Sequence, residues 1–159
     1  MEEGEEMKHK IDKGKNSFFL IFSWKLKKAY EKIFYPLAES LKLTQNEIDV
    51  LLFLYNNEPL DTASDIAKYR AMSKSMISKS VDGLYKRGYL SYEIDNIDKR
   101  CIHLKIEPEA VPMIEELHQV QKDFFDLLTQ DITPKQYQAM EEVLNKMYQN
   151  INIIDKFAQ

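Results

Sequence analysis

With one cysteine, one tryptophan, four glycines and five prolines among 159 residues, this chain is short of the residue types that several chemistries need. A single thiol, Cys101, cannot close an intramolecular disulfide. Four glycines leave no loop of the kind that cradles phosphates, and neither a nucleophile elbow nor a paired-carboxylate motif is present. The chain therefore reads as a binding protein, not an enzyme, with no cofactor. The apolar run Phe18 to Phe22 is far short of a bilayer span, and residues 1–16 are too charged and too mixed in sign for a signal peptide. A cytoplasmic protein with no membrane partner is expected. There is also no internal repeat and no long linker. Net positive charge is missing too: the balance is −4, which at first argues against nucleic acid.

Resolved by segment, that balance changes meaning. Residues 62–105 hold nine Lys or Arg against five Asp or Glu, whereas residues 106–159 hold four against ten. A basic stretch is thus set beside an acidic one, and a low overall pI does not exclude phosphate. Within the basic stretch, Thr62 and Asp65 are spaced as a capping box ahead of Ile66 and Ala67. A turn follows at Ala71-Met72. Ser73 then caps a second helix that runs to Lys86 or Arg87, with Gly88 where a left-handed residue is needed. On that helix Ile77, Val81 and Leu84 form the stripe to be buried, while Ser75, Lys79, Asp82 and Lys86 stand opposite. Lys74, Met76 and Ser78 flank the polar face. Hydroxyls and long cations suit a DNA groove, although the same face on an ordinary helix is simply solvated. Asp82 is placed either to accept from a cytosine amino group or simply to pair with Lys79 and Lys86.

The segment after Gly88 favours the groove. Leu90, Tyr92 and Ile94 alternate with polar residues, residues 95–99 break the pattern, and Ile102, Leu104 and Ile106 resume it. A hairpin directly after such a helix carries cations past the phosphates, and an arginine at its tip suits a narrow minor groove. Arg100 is that arginine, with Lys99 beside it and Asp98 expected to orient it by an ion pair.

The stretch from Ser73 to Leu90, followed by Asp98-Lys99-Arg100 and Leu104-Lys105-Ile106, resembles the MarR family of bacterial transcription regulators. The resemblance implies a mainly α fold with a winged helix-turn-helix lobe, a two-stranded wing and N- and C-terminal dimerisation helices. It implies a homodimer on double-stranded DNA, with Arg100 in the minor groove and Ser75, Met76, Ser78 and Lys79 near the major groove. A repressor acting on a pseudo-palindromic operator is the expectation it carries. Two positions depart from the family pattern: Gly83 lies mid-helix, at a cost of roughly 1 kcal/mol against alanine, and Ala110 stands where a glycine commonly follows the second wing strand.

The expected organisation is a flexible charged arm over residues 1–16 and a single domain over 17–159. Residues 44–106 form the winged helix-turn-helix, and 17–42 and 108–159 form the dimerisation helices. The first helix, from about Ser17 to Tyr35, should bend or break at Pro36. Thr44 and Glu47 form a capping box for the next helix, Pro108 opens another that runs to about Thr129, and Thr133 to Gln136 caps the last. Tyr137, Met140, Leu144, Met147, Ile151 and Ile154 line that last helix, and a second copy is the expected cover for them.

Phe22, Trp24, Tyr30 and Tyr55 are candidates to line a crevice for a small aromatic or amphipathic ligand; as a rule, aromatic stripes at helical spacing are core. Two further readings stand beside these. Cys101 and His103 on one strand, with Glu115 and His118 on one helix face, are loosely spaced for a metal-responsive regulator, and no metal site is expected from them. A winged helix that binds a protein instead of DNA would lack the cationic stripe and the wing arginine.

Overall fold

The computed structural model describes residues 17–70 and 72–157, except the side chains of Ser17 and Asp155. The charged arm expected over residues 1–16, and the Ala71 half of the expected turn, lie outside the described residues. In order the elements are α1 (Ser17–Leu41), α2 (Gln45–Asn56), α3 (Ala63–Arg70), α4 (Lys74–Lys86), β1 (Leu90–Ile94), β2 (Ile102–Ile106), a single 3-10 turn (Pro108–Ala110), α5 (Val111–Leu128) and α6 (Pro134–Phe157). This is the mainly helical architecture with a two-stranded antiparallel wing that the sequence implied. The chain divides into two compact units, Met1–Phe124 and Phe125–Gln159.

In the first unit the core is organised by α2. Val50, Leu51, Leu52, Phe53 and Leu54 are all buried, so this helix is apolar nearly all round and forms the centre of its lobe. Its start is held reciprocally: the Glu47 backbone N–H donates to Thr44 Oγ1 at 3.3 Å, and the Thr44 N–H donates to Glu47 Oε2 at 2.8 Å. Phe34 of α1, Ile66 of α3, Ile77 and Leu84 of α4, Leu90 and Leu104 of the wing, and Ile114 and Leu117 of α5 are among the residues that join it in the core.

The first helix does not stop at Pro36. It runs to Leu41, six residues past the expected end, although Pro36 removes one backbone donor and crowds the preceding turn. Tertiary contacts keep the extra turn helical. Leu37, Ala38 and Leu41 pack against the core. Lys42 takes φ 54° so that the Leu43 N–H reaches the Ala38 carbonyl at 2.9 Å and the Lys42 N–H the Glu39 carbonyl at 3.2 Å. That is a Schellman end with lysine in the left-handed position. Arg87, from the end of α4, donates from its two Nη atoms to the carbonyls of Lys42 and Leu41 at 2.8 and 2.7 Å.

In the second unit, α6 opens at Thr133, whose Oγ1 accepts from the Gln136 N–H at 3.3 Å while Gln136 Oε1 accepts from the Thr133 N–H at 2.9 Å. Its apolar stripe is uncovered: Leu144, Ile151 and Ile154 are 46%, 52% and 62% exposed.

Candidate nucleic-acid interface

Two local devices set α4. Thr62 and Asp65 cap α3 reciprocally, at 3.1 and 3.2 Å. Ser73 Oγ accepts from the Met76 N–H at 3.2 Å and starts α4. At the far end Gly88 has φ 74°, which lets the Tyr89 N–H reach the Leu84 carbonyl at 3.0 Å and the Gly88 N–H the Tyr85 carbonyl at 2.9 Å. Between these ends, Ile77, Val81 and Leu84 face the core as the periodicity required, joined by Ser80, whose hydroxyl donates back to the Met76 carbonyl at 2.9 Å.

The outer face carries Lys74, Ser75, Met76, Ser78 and Lys79, all exposed. Asp82 departs from the lysine-pair reading. Neither Lys79 nor Lys86 pairs with it among the described residues; its Oδ1 accepts from the Tyr92 hydroxyl at 3.4 Å instead. Tyr92 in turn stacks on Tyr85, ring centroids 4.5 Å apart, tying β1 to the last turns of α4. Burial, then the Asp82 charge, push the Tyr92 phenol above its ordinary pKa.

The wing pairs Leu90 with Ile106, Tyr92 with Leu104 and Ile94 with Ile102. Its tip is shaped by aspartates. Asp95 Oδ1 accepts from the N–H groups of Ile97 and Asp98, both at 2.7 Å, and Asp98 Oδ1 accepts from the Arg100 N–H at 3.0 Å. Asp98 therefore positions Arg100 through its backbone. The expected ion pair to the guanidinium is absent among the described residues, because the Asp98 carboxylate is already turned back onto the loop. Lys99 and Arg100 both stand exposed at the tip.

The departure at Gly83 has a tertiary cause. A Cβ at that position would lie 2.6 Å from Glu47 Oε1. Glu47 is the capping carboxylate of α2, with Arg87 Nη1 4.0 Å from its Oε2, so a bare helix surface is needed where α4 crosses the start of α2. Ala110 is fully buried at the end of the 3-10 turn that leads into α5.

The candidate ligand residues separate into two groups. Phe22 and Trp24 are 45% and 65% exposed on α1. Tyr30 packs edge-on against Phe34 and Phe124, at 5.0 and 5.4 Å, and accepts from Gln121 Nε2 at 2.6 Å, while Asn56 Nδ2 donates to Gln121 Oε1 at 2.8 Å. Burial raises the Tyr30 phenol above its ordinary pKa. Tyr55 lies against the His118 ring at 5.4 Å, and His118 Nδ1 is buried with no hydrogen-bond partner.

The two loosely spaced metal pairs do not assemble. Cys101 Sγ is 3.9 Å from His103 Nε2, but both nitrogens of that ring face carboxylates, and no metal-holding group of three or more His, Cys, Asp or Glu occurs among the described residues. Burial and the surrounding aspartates raise the Cys101 thiol above its ordinary pKa, which favours the unreactive protonated form.

Sequence reasoning missed an open groove of about 440 Å³ between α3, α4 and the wing, with Lys74, Ser78 and Tyr92 on its walls and Ile77 and Leu104 beneath. The small residues Ala63, Ser64 and Ala67 on one side of α3 were its only sequence signal.

The capped helix α4 is followed at once by a hairpin with an Asp-Lys-Arg tip. Residues 41–100 match the MarR family. The MarR-type fold extends beyond that segment. A MarR-family transcriptional regulator from Silicibacter pomeroyi superposes over 87% of this chain and 92% of its own, with 23% identity and a TM-score of 0.75. MepR of S. aureus, solved as a complex with DNA, matches over 87% and 96% at 16% identity and TM-score 0.70. BpsR of Bordetella bronchiseptica, studied for regulation of its DNA binding by 6-hydroxynicotinic acid, matches over 80% and 96% at 20% identity and TM-score 0.63. At these identities the likeness is one of fold. No helix among the described residues is long and apolar enough to cross a membrane.

Proposed function

We propose that this protein is a sequence-specific regulator of transcription that binds a pseudo-palindromic site in double-stranded DNA as a homodimer in the cytoplasm, acting as a ligand-responsive repressor. One observation carries the reading: Lys74, Ser75, Met76, Ser78 and Lys79 are exposed on one helix that leads directly to a wing tip presenting Lys99 and Arg100. The helix face is suited to base edges and phosphates of a major groove, and Arg100 to the negative potential of the adjacent minor groove. The DNA complex of MepR supports the class of partner.

The uncovered stripe of α6 supports the dimer, since a second copy would bury Leu144, Ile151 and Ile154 where water now meets them. A small aromatic or amphipathic effector is proposed near Tyr30 and Tyr55, with Phe22 and Trp24 as outlying members. The buried, unpartnered Nδ1 of His118 beside Tyr55 is the polar atom such a ligand would satisfy. The effect of 6-hydroxynicotinic acid on BpsR supports the ligand class.

The test is a gel-shift survey of the DNA adjoining the gene, followed by a salt series on any fragment retained. A retained fragment with a steep loss of affinity as salt rises is expected. Failure to retain any adjoining fragment, with a bound protein recovered in its place, favours the winged helix as a protein-binding module.

A further inference from the structure

Forty-two residues apart in sequence, Asp61 and His103 meet at the base of the wing. His103 Nδ1 lies 2.5 Å from Asp61 Oδ1, and its Nε2 lies 3.2 Å from Asp95 Oδ2. Each carboxylate has a second task. Asp61 Oδ2 accepts from Lys105 Nζ at 2.8 Å, and the Asp61 carbonyl accepts from the Leu104 N–H at 2.8 Å, immediately before the Thr62 cap of α3. Asp95 Oδ1 holds the N–H groups of Ile97 and Asp98, which form the turn leading to Lys99 and Arg100. One imidazole thus joins the start of the helix-turn-helix to the turn that displays the wing cations.

A neutral imidazole has one N–H and satisfies one carboxylate; the imidazolium has two and satisfies both. We propose that His103 is a positioning residue for DNA binding, whose doubly donating imidazolium fastens the wing turn through Asp95, so that loss of its proton releases the turn and weakens the hold on DNA. The proposal rests on the DNA-binding reading above.

The surroundings favour the charged form. Asp61 faces His103 from the segment before α3, Asp95 from the wing turn and Glu93 from the opposite position on β1, with Lys105 two residues later on β2 and Cys101 just before that strand. Asp65 and Asp98 add negative potential around Cys101. Hydrogen bonds to Asp61, then to Asp95, raise the imidazole above its ordinary pKa. Burial pushes the Asp61 carboxyl up, but its bonds from His103 and Lys105 outweigh that and hold it below its ordinary value. The Asp98 and Ile97 N–H groups, and then His103, do the same for Asp95. The bridge is therefore complete below the ordinary histidine pKa and is lost as pH rises through the raised value. Losing it also leaves one uncompensated negative charge at the wing, next to phosphate.

The experiment has two arms on the full chain at fixed ionic strength, from pH 6 to pH 8.5. NMR follows the His103 ring proton, identified by its disappearance in His103→Gln, together with the amides of Ile97 and Asp98. Fluorescence anisotropy follows binding to a retained promoter fragment. Both amides are expected to shift with the His103 midpoint, and affinity to fall about tenfold across it, the scale of one charge-assisted hydrogen bond. His103→Gln should bind weakly with a flat pH profile. Asp95→Asn keeps an oxygen for the Ile97 and Asp98 N–H groups but offers His103 no carboxylate, so its profile should also be flat. Amides that ignore the His103 titration overturn the proposal, and so does a pH slope that survives unchanged in Asp95→Asn. Amides that follow His103 in a protein that binds no DNA at any pH sustain the wing mechanism and refute only the DNA-binding reading.

Discussion

Replacing Gly83 by alanine isolates a contact between α4 and the capping carboxylate of α2. Taken alone, Gly83→Ala in a helix interior stabilises by about 1 kcal/mol. Here the new methyl carbon would sit 2.6 Å from Glu47 Oε1, which must move. Glu47 is not free to do so at no cost, because its Oε2 accepts from the Thr44 N–H and hydroxyl at 2.8 and 3.0 Å. Losing that capping box costs roughly 1 kcal/mol, and the stranded Thr44 N–H adds about 1 kcal/mol more. The net expectation is destabilisation of roughly 1 kcal/mol in the wild-type background, reversing to stabilisation of about 1 kcal/mol when Glu47 is already alanine. Urea unfolding of the four proteins, at one fixed concentration because the proposed dimer's stability would depend on it, reads the difference directly. Equal effects of Gly83→Ala in both backgrounds would falsify the account of why glycine stands there.

Arg100→Ala should weaken promoter binding by roughly 1–3 kcal/mol and lower the salt slope by about one phosphate per half-site, whereas Ser75→Ala and Lys79→Ala should alter preference at bases within a half-site; an Arg100→Ala protein indistinguishable from wild type at every salt concentration removes the wing from the groove. Ile151→Asp together with Leu144→Asp should convert the proposed dimer to monomer or aggregate in analytical ultracentrifugation, and an unchanged dimer would mean that α6 is not its interface. Cys101→Ser should leave DNA affinity unchanged with and without peroxide, since the thiol is held protonated; loss of a peroxide response in that mutant would reinstate a redox sensor. Salicylate should weaken DNA binding in the same concentration range in which it perturbs Trp24 fluorescence, and a fluorescence change without release of DNA would mark an incidental surface site.

What the sequence determined by itself was local. The caps at Thr44, Thr62, Ser73 and Thr133 each join residues three apart, Gly88 meets a demand of its own φ, and the two wing strands announce themselves by alternation; these are interactions that adjacent residues settle among themselves. The exposed faces of α4 and of the wing tip were legible for the same reason, because helical and strand periods decide which side is left for solvent. Tertiary structure decided the rest. Pro36 stayed inside a helix because core packing and Arg87 secure the turn beyond it, and Lys42 took a glycine's conformation because that anchored end requires it. Gly83 became intelligible only when Glu47, thirty-six residues earlier, was seen against it. Asp98 turned to its own backbone instead of the arginine, and His103 found Asp61 across the fold. Periodicity carries no information about such pairs, because their separation along the chain is set by the path between elements and not by the geometry of either one.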